Sequence, residues 1–128
     1  MDRRASERGT AIVEFLGVTL LIVAALMMLM QMALWIWARN VTVNAADEGA
    51  RAAAEMGRPL ADGAARTRSV LHDGLGGRAA RFAIGAEQDG DAVVVRVSGV
   101  APHIVPFLPE FVVSAEARAL DEDTVVRP

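Results

Sequence analysis

The chain has 128 residues, a formal net charge of −3 and no cysteine. The last point excludes a disulfide framework and thiolate metal sites, and the dispersed arginines do not make the basic surface of a nucleic-acid binder. Setting the long apolar stretch aside leaves roughly 70 residues beyond Ala54, one small domain at most.

Residues 1–9 form a short polar leader carrying Arg3, Arg4 and Arg8. An uncharged run follows from Phe15 to Ala38, in which only Thr19 and Gln31 are clearly polar. At 1.5 Å per residue those roughly 24 residues make a helix of about 36 Å, enough to cross a bilayer with some tilt. The run is too long for the apolar core of a cleaved secretory signal, and bulky Trp35-Ile36-Trp37 stands where small residues would be wanted. A transmembrane helix over 10–38 is therefore expected. The arginines place the leader in the cytoplasm, Trp35 and Trp37 mark the far interface, and the rest of the chain is extracytoplasmic. Glu14 is the anomaly, a lone carboxylate one turn into apolar surroundings, which needs an interfacial position or a partner.

Helical propensity continues through 39–56, which has no proline and many alanines. Ala45, Gly49 and Ala53 recur every four residues as a small-residue stripe suited to close packing, more readily within the head than between subunits. Asp47 and Arg51 are placed to pair at i and i+4. Gly57-Arg58-Pro59 stops the helix, giving one rod from about Thr10 to about Met56.

A head occupies 57–120. A second helix runs from about Leu60 to Leu75 with Leu60, Ala64, Val70 and Leu71 as its apolar face, ended by Gly74, Gly76 and Gly77. The period then becomes two. Phe82, Ile84 and Ala86 alternate, Gln88-Asp89-Gly90-Asp91 is a turn, and Val93, Val95 and Val97 oppose Val94, Arg96 and Ser98. Pro102, Pro106 and Pro109 make a loop or irregular edge. Phe111, Val113, Ala115, Ala117 and Ala119 then face inward on a last strand, before a frayed tail over 121–128. The fold class is α+β: a long N-terminal transmembrane helix, one further helix and a three-stranded antiparallel sheet. The outer half of the long helix, through its Ala/Gly stripe, is the expected cover for that sheet.

Two separated motifs carry a family resemblance. Glu7-Arg8-Gly9-Thr10-Ala11-Ile12-Val13-Glu14-Phe15 and Asn44-Ala45-Ala46-Asp47-Glu48-Gly49-Ala50-Arg51 resemble the TadE-like pseudopilins, or minor pilins, of tight-adherence (Flp type IV) pilus systems. The chain departs from the family pattern in lacking a proline within the apolar stretch and in carrying Asp47 where a basic residue is common. The resemblance covers about the first 55 residues and implies cleavage after Gly9 by a membrane prepilin peptidase on the cytoplasmic side. Glycine would let an extended backbone approach that protease closely. The new amine at Thr10 would then meet Glu14 of a neighbouring subunit, a registry device for assembly with Phe15 beside it. The simpler reading of Glu14 is a first-turn carboxylate facing the helix dipole.

Other chemistry finds no constellation. His72 and His103 are isolated, Asp89-Gly90-Asp91 lacks the remaining calcium ligands, and Ser69, Ser98 and Ser114 have no nucleophile motif. No enzyme activity, cofactor, metal, nucleic acid or small-molecule substrate is expected. The expected partners are the membrane, the prepilin peptidase, other pilins and the tight-adherence assembly machinery, serving adhesion, secretion or DNA uptake. The rival reading is an unprocessed single-pass membrane-anchored binding or accessory module.

Overall fold

The computed structural model describes residues 3–55 and 58–121. Helix α1 spans Arg3–Ala54 and α2 spans Leu60–Leu75; a 3-10 helix, Gly76–Arg81, leads to strands β1 (Ala83–Asp89), β2 (Ala92–Val100) and β3 (Val112–Leu120). The strands form a single antiparallel sheet in the order β1-β2-β3. The helix boundary assigned to Met56 and Gly57, the first two residues of the leader, and the tail beyond Asp121 lie outside the described residues.

Expectation and structure part first at the N-terminus. The rod begins at Arg3, seven positions before Thr10, so Gly9 sits inside a helix rather than in extended chain. Ala5, Glu7 and the arginines are good helix formers, and among the described residues nothing buries this stretch.

One face of the sheet is closed by both helices, with α1 against β2 and β3 and α2 against β1. Val93, Val95, Val97, Val113 and Ala117 form one cluster with Ala38, Ala46, Ala50 and Ala54 of α1 and with Leu71 and Leu75 of α2. Alanine at these α1 positions lets the rod lie close to the sheet.

The stripe Ala45, Gly49 and Ala53 has a different partner from the one expected. A Cβ on Gly49 would stand 1.8 Å from Thr67 Oγ1 and 2.8 Å from the Gly63 carbonyl oxygen; one on Gly63 would stand 2.5 Å from the Ala53 Cβ. Gly49 and Ala53 thus seat α2, and Gly63 and Gly49 are the residues that allow this approach. The buried row of α2 is Gly63, Thr67, Leu71 and Leu75, while Leu60, Ala64 and Val70 are only half-buried. Small and hydroxylated residues fill the contact because the backbones are too near for larger ones. The Thr67 hydroxyl donates to the Gly63 carbonyl (2.9 Å), so no polar group is stranded there. Asp47 and Arg51 do not pair with each other; Glu48 instead takes Arg66 of α2 at 2.9 Å.

Strand parity follows the expected alternation with one exception. Val94 lies on the outer face yet is 0% exposed. It is in register with Glu87 and Arg118. Around it Arg96 pairs with Glu87 and with Glu116 (2.8 Å), and Arg118 pairs with Asp89. The aliphatic stems of this ionic ladder cover the valine. Hydrogen bonds and charge from Glu116 and then Glu87 raise the Arg96 pKa above that of an ordinary arginine.

The β1–β2 turn is shifted one residue from expectation. Asp89 pairs with Ala92, leaving Gly90 and Asp91 as the two-residue loop. Gly90 has φ +64 and Asp91 is not at positive φ, the pattern of a type II′ turn with glycine in its first position.

Candidate membrane and assembly surface

From Arg3 to Met30 every residue of α1 is exposed. Its most apolar window has mean hydropathy 2.6 with none of its residues buried, so it is long and apolar enough to cross a membrane. Ile12, Val13, Leu16, Leu20, Leu21, Ile22 and Leu26 all stand open. Such a surface has no stable place in water. Its two threonines are satisfied locally: the Thr10 hydroxyl donates to the Ser6 carbonyl (3.0 Å) and that of Thr19 to the Phe15 carbonyl (2.8 Å).

Gly9, Thr10, Glu14 and Phe15 all lie on this bare rod. Nothing approaches Gly9 within 4 Å of where a Cβ would be, and Phe15 is 72% exposed. Thr10 and Glu14, at i and i+4, share one helix face, about 6 Å apart along the axis. Glu14 is exposed and, among the described residues, has no ion-pair partner. The structure therefore keeps Gly9, Thr10, Glu14 and Phe15 together and well apart from Ala45, Gly49 and Ala53, which are enclosed in the head.

Gln31 is the residue that sequence reasoning passed over. It is 3% exposed. Its Nε2 donates to the Pro102 carbonyl (3.0 Å), and the Ile104 backbone N–H donates to its Oε1 (2.9 Å). One amide thus satisfies a carbonyl and an N–H of the proline loop and holds that loop against α1. The clue was present in sequence, since a glutamine amid apolar residues needs a partner. Its partners lie 71 and 73 positions away, so nothing local could name them.

Residues 31–38 of the apolar run belong to the head as well: Gln31 and Ala38 are buried and Trp35 is half-buried. The Arg39 guanidinium lies 5.7 Å from the centroid of the Trp35 ring. Among the described residues no group of three His, Cys, Asp or Glu side chains is arranged to hold a metal ion.

Among the described residues one helix, near the N-terminus, is long and apolar enough to cross a membrane. It runs unbroken into a small α+β head, the layout of a single-pass membrane protein. The family model described as a TadE-like protein matches residues 9–51, the segment that contains both sequence motifs. That match upholds the TadE-like resemblance over this segment. It starts at Gly9 and ends at Arg51, within α1, without reaching α2 or the sheet. No curated protein and no solved structure matches the chain.

Proposed function

We propose that the protein is a minor pilin or pseudopilin: a non-enzymatic subunit, cut after Gly9, whose bare helix joins other pilins in a tight-adherence pilus. The observation that carries this reading is Glu14, an exposed carboxylate on an apolar rod with no partner among the described residues. A charge at that depth is costly alone and stabilised by an opposite charge. Cleavage after Gly9 would create such a charge at Thr10, on the same helix face of the next subunit. It would also remove Arg3, Arg4 and Arg8, whose hydration opposes withdrawal of the rod from the membrane. The leader would face the cytoplasm and the head the other side, in keeping with the arginine bias.

Helix around Gly9 favours the rival, an unprocessed anchor, because a protease needs the backbone unwound. Glycine in a helix interior costs about 1 kcal/mol relative to alanine, so unwinding is easiest there. N-terminal sequencing or intact mass of the chain from native membranes decides between them. A start at Thr10 supports processing; an intact leader, in cells with working prepilin peptidase, replaces the pilin reading with a plain anchor.

A further inference from the structure

The segment between β2 and β3 is a built loop. The Ala101 N–H donates to the Phe111 carbonyl (2.9 Å) and closes its neck, and the Leu108 N–H donates to the Val105 carbonyl (3.2 Å) and closes its tip. Val105 is buried, and Gln31 fixes Pro102 and Ile104 from below. Pro106 and Phe107 are the central residues of the tip turn, and Phe107 is 85% exposed. A loop fixed this firmly presents Phe107 and Ile104 together as an exposed apolar edge that something other than water can cover.

Its level on the rod says what. Leu108 and Phe111 line, with Met28, Gln31, Met32, Trp35 and Ile36, an apolar groove of about 500 Å³. Met28 lies within the bare stretch, which ends at Met30, so the groove is continuous with the surface that meets lipid. Measured from Thr10, Met28 to Gln31 lies about 27–32 Å along the axis, close to the hydrocarbon thickness of about 30 Å. The loop is therefore level with the membrane boundary on the head's side. Arg78, Arg81 and His103 line a second cleft beside Pro102, together with Glu110, Val100 and Ala101. The two arginines, set next to an apolar tip, match a headgroup layer over acyl chains.

We infer that the 101–111 loop is a membrane-seating device: Ile104 and Phe107 enter the leaflet on the head's side, an acyl chain lies in the Met28–Phe111 groove, and Arg78 and Arg81 meet lipid phosphates. This rests on α1 spanning the bilayer. The loop sets how far the rod sinks and holds the head on the surface.

Because the chain has no cysteine, single-cysteine variants can carry an environment-sensitive fluorophore in the otherwise unaltered full chain. Phe107→Cys, Ser114→Cys on the outer sheet face and Leu20→Cys in the bare rod would be labelled with NBD. Each would be reconstituted into phosphatidylcholine/phosphatidylglycerol vesicles containing lipids spin-labelled at shallow or deep acyl positions. The probe at 107 should emit blue-shifted and be quenched by shallow labels roughly threefold more than at 114, with 20 quenched best by deep labels. Equal quenching at 107 and 114 beside a quenched 20 overturns the loop inference alone. No quenching at 20 removes the membrane span and the loop inference with it. A shift at 107 that disappears on diluting protein in lipid assigns the tip to a second copy of the chain and overturns lipid as its occupant.

Discussion

The two halves of α1 are one helix in two environments. Below Gln31 every residue is open and the sequence is apolar almost all round; above it a row of alanine, glycine and threonine is enclosed by α2 and the sheet. Among the described residues nothing buries the lower half, and it is shaped to suit a continuous apolar medium. The upper half is specified atom by atom, since a methyl group on Gly49 meets Thr67 and the Gly63 backbone. Large side chains below and small ones above therefore express the same physics: the distance to the nearest neighbour decides side-chain size.

The sharpest way to break this contrast is to make one change in both halves. Gly49→Ala should destabilise the head by about 3 kcal/mol through overpacking against α2, read as a lowered unfolding midpoint in detergent. Gly17→Ala, where nothing lies within 4 Å, should leave that midpoint unmoved. Next in size is Gln31→Leu. It removes the amide and leaves the Pro102 carbonyl and the Ile104 N–H unpaired, a cost of about 1–3 kcal/mol. Faster amide exchange at Ile104, with the strands still protected, would locate that loss in the loop.

Glu14→Ala should change head stability by less than about 0.5 kcal/mol, as an exposed site remote from the head. On the proposed function it should nonetheless abolish incorporation into pili while leaving processing intact; normal piliation would refute the registry role. The smallest effect belongs to Arg96→Ala in the ionic ladder, a slight fall in midpoint that shrinks as salt is added. A raised pKa means the Arg96 contribution is present below the ordinary arginine value and lost only as pH rises beyond its folded one. The variant should therefore show its difference from the parent across neutral and mildly alkaline pH alike.

Much of this arrangement was legible in the sequence because it is written in short periods. The 60–75 helix, the alternating strands and the long rod all follow from spacing within a few residues. The turn slipped by one position because Asp89-Gly90 and Gly90-Asp91 are both acceptable hairpin pairs, and strand pairing chose between them. The leader reads in sequence only as a polar segment, with the rod starting at about Thr10, whereas unopposed propensity carries the helix back to Arg3. The α2 row was misassigned for a related reason. A hydrophobic count favours Leu60 and Val70, but at close backbone approach Gly63 and Thr67 are what fit. Val94 under its ion pairs, and Gln31 with the proline loop, were out of reach because their partners come from other strands or distant chain. Gly9, Thr10, Glu14 and Phe15 were legible as a motif, and the structure adds that they stand together on an uncovered surface.

No hinge separates the bare half of α1 from the enclosed half: the helix is unbroken from Arg3 to Ala54. The junction therefore works as a shaft coupling. Inserting one residue between Met30 and Gln31 would turn the head by about 100° about the rod and raise it about 1.5 Å. The compass bearing of the head relative to Glu14 is thus set by residue count.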